Sequence, residues 1–237
     1  MMPKYSIVVP IHNEGGNIDI FMRRFWDELT DDLKKNIEIL LIENGSTDNS
    51  YEVCRNLAAQ FPNIMHVEKI DFPSYGEAIK CGIMNSKGEV TCILECDALD
   101  TKFLALALNI IDNNKSDFVL ASKRHPQSID LRPLKRRLLT LLFNALLKIF
   151  FNFPGTDTHG LKAIKTDIAK ALCEIMITKN EIVQTEMVLL AYKMGYRVQE
   201  VPIKLKEIRQ SSISIFRRLP KVIGVVWDLK KSLNRFQ

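Results

Sequence analysis

Short apolar runs rich in β-branched residues recur through the first half of this chain, and helical spacing fills the gaps between them. Tyr5 to Ile11, Ile37 to Ile42, Ile64 to Val67, Val90 to Leu94 and Phe118 to Ala121 read as strands. After the first, Ile18, Phe21, Met22, Phe25 and Leu29 fall on one helical face. After the second, Ser50 is placed to cap a helix carrying Val53, Cys54, Leu57 and Phe61. Tyr75 to Met84 is a further helix. Strands joined through helices require right-handed crossovers, so the predicted fold is α/β: a mainly parallel, Rossmann-like sheet flanked by helices. The strands are almost continuously apolar, as expected when both faces of a sheet are covered.

Length allows one sizeable domain with an appendage: 237 residues, divided as a domain over 1–205 and a basic amphipathic tail over 206–237. The five cysteines are an odd number without paired C-x-x-C spacing, which points to reduced, buried thiols and a cytoplasmic chain. The first apolar run is short and contains Pro10, unlike a signal peptide. No run reaches the roughly 20 apolar residues of a spanning helix. Leu138 to Phe153 is very apolar but broken by Asn144, Lys148 and Asn152. It reads either as a core helix or as a helix lying in a membrane interface. Arg197 to Ile203 reads as a late strand.

Charge is unevenly placed. From Lys204 to Gln237 there are nine Lys/Arg against two acids, a net of +7, and the rest of the chain carries 24 against 26, a net of −2. Large apolar residues, Trp227 among them, alternate with those cations. That pattern suits an anionic membrane surface or a membrane-embedded partner subunit, and no nucleic-acid-binding motif is present.

Polar clusters sit where the predicted strands end. Pro10, His12, Asn13 and Glu14 follow the first strand; Glu43, Asn44 and Ser46 follow the second; Tyr75 and Gly76 follow the third; Glu95 and Asp97 follow the fourth. Parallel strands bring such ends to one edge, where open α/β sheets bind ligands. Amides and carboxylates suit a base and ribose, while Glu95 and Asp97, two apart at a strand end, suit a hard cation such as Mg²⁺ or Mn²⁺ holding a diphosphate. The G-x-G-x-x-G fingerprint and the P-loop are both absent, which argues against a dinucleotide enzyme and a P-loop NTPase.

Taken in order, Pro10-x-x-Asn13-Glu14, Glu43-Asn44-Gly45-Ser46-x-Asp48, Tyr75-Gly76-Glu77-Ala78-x-x-x-Gly82 and Glu95-x-Asp97 resemble the GT-A glycosyltransferases of family 2. More narrowly they resemble the dolichol/polyprenyl-phosphate mannosyltransferases and their prokaryotic relatives. Ser122-Lys123-Arg124, Pro133 to Arg137, Asp157 to Ala163, Gln184-Thr185-Glu186 and Glu200 to Ile203 extend the likeness, which runs from about Lys4 to about Ile208. The resemblance implies inverting, metal-dependent transfer of mannose or another hexose from a GDP- or UDP-sugar to a polyprenyl phosphate or related lipid or glycan. It implies an enzyme peripherally bound to the cytoplasmic face of a membrane. Asp97, Arg124 and Arg132 are then the catalytic candidates, with Glu95 and Asp97 on the metal. Lys135, Arg136, His159, Lys162, Arg209 and Ser211 become candidates for the acceptor phosphate.

The chain departs from the family pattern at several points. Glu43-Asn44 stands for the usual Asp-Asp, Glu95 for the first Asp of the metal motif, Leu99 for a polar residue and His159 for a Ser. An amide at position 44 both donates and accepts, so guanine, uracil and cytosine all remain open. The alternative these departures support is a catalytically degenerate domain that binds a nucleotide or a partner.

Overall fold

A computed structural model describes residues 3–62, 64–179, 182–205 and 229–230. The expected basic tail, with Arg209 and Ser211, lies outside the described residues.

The first half follows the predicted alternation: β1 (Tyr5–Ile11), α1 (Ile18–Glu28), α2 (Asp31–Asn36), β2 (Ile37–Asn44), α3 (Ser50–Gln60), β3 (Met65–Ile70), α4 (Tyr75–Asn85), β4 (Val90–Ile93), α5 (Thr101–Asp112) and β5 (Phe118–Ser122). The second half adds β6 (Ile129–Asp130), α6 (Leu134–Phe151), β7 (Lys162–Lys165), α7 (Thr166–Ile175), α8 (Val183–Lys193), β8 (Val198–Pro202) and β9 (Lys204–Leu205). Among the described residues, seven strands form the main sheet in the order β3-β2-β1-β4-β7-β5-β8, and β6 pairs with β9 beside it.

Alternation along each strand divides the core in two. Ile7, Val9, Ile11, Ile39 and Leu41 face one cluster with Met22, Phe25 and Leu57 of α1 and α3. Val8, Leu40 and Ile42 face the other, with Ile79 and Ile83 of α4 and Leu172 and Val188 of α7 and α8. Each large side chain so buried contributes about 1.5–3 kcal/mol.

β1 to β3 step outward in one direction, and the chain then crosses to place β4 on the other side of β1. That reversal makes the β1/β4 boundary the switch point of the sheet, the position beyond the strand ends where open α/β folds bind ligands. Pairing of β1 with β4 stops at Val8 and Ile93. Pro10, buried one step further along β1, has no N–H to donate and marks where β4 leaves the sheet.

Three expectations change. β7 begins inside the span expected to form an acceptor loop and runs antiparallel between β4 and β5, while the sheet remains mainly parallel as expected. Ser50 does not cap α3: its hydroxyl donates to Asp48 Oδ1 at 2.5 Å and accepts from the Glu14 N–H at 2.8 Å, tying two loops together. The apolar stretch after Leu138 is not a core helix either, because α6 buries only Asn144 and Leu147.

Candidate functional site

The ends of β1, β2, β4 and β5 and the start of β7 share one sheet edge, and the polar clusters meet there. The loops after β1 and β2 are laced together. Asn13 N–H donates to Ser46 Oγ at 3.0 Å, Thr47 N–H to Asn13 Oδ1 at 2.8 Å, and Gly15 N–H to Asp48 Oδ2 at 3.0 Å. Asn13 reaches this position at φ 55°, a left-handed conformation that Asn tolerates better than most residues. The exposed His12 has Nδ1 2.8 Å from the Asn44 carbonyl oxygen. A carbonyl only accepts, so the proton sits on Nδ1 and Nε2 accepts from the Asn13 amide at 3.2 Å. Glu43 is buried, and its Oε1 accepts from Ser46 N–H at 2.5 Å.

The loop leading into α4 closes on the same edge. Ser74, with Glu77 three residues on, forms the start of α4, and Ser74 Oγ donates to the Lys179 carbonyl at 2.8 Å. Ser74 N–H donates to Asn44 Oδ1 at 2.7 Å. Gly76, expected to face a nucleotide, uses its N–H on Lys179 O at 2.9 Å. A Cβ there would lie 2.6 Å from Lys179 backbone, so this glycine serves a close approach of two segments.

Glu95 and Asp97 have different surroundings. Glu95 Oε1 accepts from Tyr75 Oη at 2.5 Å and from Gln184 Nε2 at 2.8 Å, and Gln184 also meets Tyr75 Oη. Asp97 lies in the tight turn closed by Ala98 N–H on Glu95 O, is exposed, and has no partner among the described residues. Asp100 caps α5, accepting from the N–H groups of Lys102 and Phe103 at 2.9 Å. Among the described residues no three His, Cys, Asp or Glu side chains cluster as a metal cage. A free carboxylate with one neighbouring acid matches Mg²⁺ or Mn²⁺, which take few protein ligands and keep water and phosphate oxygens.

The basic candidates separate likewise. Arg124, half-buried past β5, keeps its guanidinium without a partner among the described residues. Arg132 is bound in a fork by Asp130, at 2.8 Å from each of its oxygens, so a phosphate would have to displace that carboxylate. Lys135 is exposed on the first turn of α6, with Arg136 half-buried beside it. His159 is exposed, its ring 5.6 Å from Phe143, with Nδ1 3.0 Å from Thr158 Oγ1. Lys162, expected at the acceptor phosphate, is fully buried, donating to Gly160 O at 2.7 Å and Gln184 Oε1 at 2.6 Å. Burial first, then the Lys123 charge, push its pKa down to about 7 against the opposing carboxylates of Glu95 and Asp157.

Asp157 accepts from Lys123 Nζ at 3.2 Å and from the N–H groups of Thr158 and His159 at 2.8 and 3.1 Å. Burial alone would raise its pKa, but the Lys123 charge and the backbone N–H groups of His159 and Lys123 outweigh it and hold the group at about 2. Gln184 and Asp157 lie within the family-like motifs but carried no expected role at the site; the signal for Gln184 was the polar trio Gln184-Thr185-Glu186 at the start of α8, which is buried from Val183 to Ala191.

Amides and an exposed carboxylate gather at the switch point of the sheet, the place where open α/β folds bind their ligands. Residues 6–172 match the model of glycosyl transferase family 2, and the chain belongs to that family. It is 25% identical to the glycosyltransferase AglD of Haloferax volcanii over 94% of this chain, but it spans 37% of that protein's length. It is 24% identical to the dolichyl-phosphate beta-glucosyltransferase of Saccharomyces cerevisiae, covering 95% of this chain and 77% of the yeast protein. The fold matches that of glucosyl-3-phosphoglycerate synthase from Mycobacterium tuberculosis, solved with UDP, with a TM-score of 0.69 at 15% identity over 97% of this chain and 80% of that one.

Proposed function

We propose that this chain transfers a hexose, with inversion, from a nucleotide-sugar donor to a polyprenyl-phosphate-type acceptor at a membrane surface. The observation that carries the reading is the presence on one sheet edge of two groups without partners among the described residues: the Asp97 carboxylate beyond β4 and the Arg124 guanidinium beyond β5. Dolichyl-phosphate beta-glucosyltransferases among the relatives support glucose as the first hexose to test, ahead of mannose.

The acceptor phosphate is already an anion, so no strong general base is required. The protein has to hold it in line with the sugar and stabilise the departing diphosphate. Asp97 is the residue to hold Mg²⁺ or Mn²⁺, with Glu95 behind it. When bound, the cation supplies positive charge against the leaving group. Arg124 offers a planar fork that matches phosphate oxygens. Glu95, fixed by Tyr75 and Gln184, keeps the turn bearing Asp97 in place.

The approach to a lipid is built into α6. At 100° per residue, Leu134, Leu138, Leu141, Leu142 and Ile149 share one stripe, and they are 76%, 65%, 43%, 43% and 72% exposed. Lys135 borders the stripe on one side, Arg137 and Lys148 on the other, while Phe143, Asn144 and Leu147 face the domain. No helix among the described residues is long and apolar enough to cross a membrane. An apolar stripe with cationic borders suits a helix lying in the interface of an anionic leaflet.

The deciding experiment supplies labelled UDP-glucose or GDP-mannose and a polyprenyl phosphate in vesicles, with and without Mn²⁺. Metal-dependent formation of a sugar-lipid that is lost in Asp97→Ala is expected. Undiminished turnover by Asp97→Ala would refute the reading. The degenerate alternative draws on the engagement of Glu95 and Asp100 and predicts metal-independent nucleotide binding with no transfer.

A further inference from the structure

We propose that Asn144 is a positioning residue that couples the seating of α6 on a lipid surface to the placement of Arg124, so that contact with the surface speeds transfer. This rests on the transferase reading above and deepens it by naming how the site is regulated. α6 runs for 18 residues yet buries only Asn144 and Leu147. Leu147 joins the apolar core with Phe153. The other anchor is polar, and a buried amide costs free energy unless its groups are paired. Asn144 is 6% exposed, and its Oδ1 is buried without a partner among the described residues. Packing alone does not call for an amide at such a position. Its interaction runs through Nδ2, which donates to the Thr156 carbonyl at 2.7 Å. A carbonyl only accepts, so the orientation of the amide is fixed.

From Thr156 the hydrogen bonds continue to the turn that bears Arg124. Thr156 Oγ1 donates to Glu200 Oε2; its one hydrogen is spent there, so it accepts from Ser122 Oγ at 2.7 Å. Ser122 Oγ in turn accepts the Arg124 backbone N–H at 3.1 Å. A second tie runs alongside, from the Lys123 N–H to Asp157 Oδ2 at 3.0 Å. Ser122 is fully buried at the end of β5, and the Thr156 N–H is held by Glu200 Oε1 at 2.6 Å. Hydrogen bonds linked in this way strengthen one another. Asn144, Thr156 and Ser122 therefore join the helix to the turn.

The domain holds α6 lightly, while the exposed stripe favours lipid. Phe143, beside Asn144, meets the His159 ring at 5.6 Å, so two successive residues of α6 touch the segment from Thr156 to His159. An element with few buried apolar contacts shifts at low cost. A ligand moves such an equilibrium only by binding one arrangement better than the other. A lipid surface that binds α6 best when Asn144 holds Thr156 thereby favours one placement of the Arg124 turn. The coupling is reciprocal, so an acceptor phosphate held by Arg124 tightens α6 on the surface.

The test measures transfer from labelled UDP-glucose or GDP-mannose to a prenyl phosphate short enough to stay in water, with and without empty vesicles of anionic lipid. Wild type is expected to turn over at least about fivefold faster with vesicles. Asn144→Leu is branched like the amide but leaves the Thr156 carbonyl without its donor, and its stimulation is expected to fall below about twofold. Its vesicle binding by sedimentation and its KM for the donor should stay within about twofold of wild type. A merely structural role would lower the melting temperature and leave the stimulation as in wild type. If Asn144→Leu does not fold, as judged by its thermal transition, Thr156→Val and Thr156→Ser decide. The first lacks the hydroxyl and should lose the stimulation; the second keeps it and should retain the stimulation. Stimulation equal to wild type in Asn144→Leu, or lost only in step with vesicle binding, would overturn the coupling. So would a wild type that transfers equally well with and without vesicles, and these results leave the transferase reading intact. A folded wild type that transfers sugar to no prenyl phosphate, in water or in vesicles, would overturn both.

Discussion

The buried ammonium of Lys162 reaches the carboxylate of Glu95 through a single side-chain amide. Gln184 Oε1 accepts from Lys162 at 2.6 Å, and Gln184 Nε2 donates to Glu95 at 2.8 Å. The charges thus sit on β7 and just past β4, with α8 between them, so three elements far apart in sequence set one carboxylate. Hydrogen bonds in such a chain polarise one another, and removal of any member leaves buried groups unpaired.

Replacing the ammonium tests this relation through pH. The Lys162 pKa is about 7 in the folded chain against an ordinary value of 10.5. The unfolded chain therefore binds more protons between these values, and the cost of burying the charge is fully present below pH 7. That cost fades as pH rises toward 10.5, so this group makes wild-type stability climb across the window. Lys162→Met has no such titration. Its melting temperature relative to wild type should be highest near neutrality and decline as the medium becomes alkaline. A difference between the two that stays constant with pH would sink the prediction. Turnover should also fall at least about tenfold, because Gln184 is left with an unpaired oxygen worth about 1–3 kcal/mol.

Asp157 behaves with the opposite sign. Its folded pKa of about 2 lies below the ordinary 3.8, so it contributes stability above pH 3.8 that is lost as pH falls through 2. Asp157→Asn is expected to cost about 2 kcal/mol at neutral pH, corresponding to the loss of that shift. The penalty should shrink as pH approaches 2. Urea unfolding of both proteins over the acid range checks this, and an unchanged penalty at the lowest pH would contradict it.

Gly76 carries a purely steric prediction. Ala at this position puts a Cβ 2.6 Å from the Lys179 backbone, so α4, which begins at Tyr75, or the Lys179 segment must shift. Gly76→Ala should destabilise the fold by about 1–3 kcal/mol. It should also lower turnover more than donor affinity, because Tyr75 meets Glu95 rather than forming a free nucleotide surface. A variant as stable and active as wild type would show that the two segments are not held as described.

The first half of the fold was legible because β1, β2, β4 and β5 are buried along their whole length and the helices between them are amphipathic, so period and length agree. β7 was not, since four residues, Lys162 to Lys165, with a lysine at each end give no strand signal. The mixed sheet follows from its insertion, a tertiary fact without a local signature. At the site, the clusters at strand ends were visible, but their internal bookkeeping was not. Arg132 stood among the catalytic candidates, and nothing local announced that Asp130, two residues earlier, forks its guanidinium. Lys162 was read as an acceptor-phosphate candidate because lysines are usually exposed, and the insertion of β7 between β4 and β5 carries it inside.

The exposed stripe of α6 separates a membrane role from a structural one. Leu138 and Ile149 are 65% and 72% exposed, so placing a carboxylate at either costs the domain little packing. Leu138→Glu and Ile149→Glu should each leave the melting temperature within about 2 °C of wild type, as surface substitutions usually do. On vesicles containing anionic lipid, each loses buried apolar area and adds repulsion, so binding in a sedimentation assay should weaken about tenfold or more. Transfer to a lipid acceptor in vesicles should fall in proportion, and donor binding in solution should not change. A large drop in melting temperature would instead mean that the stripe packs against protein. Unaltered vesicle binding by the double variant would place the membrane contact elsewhere on the chain.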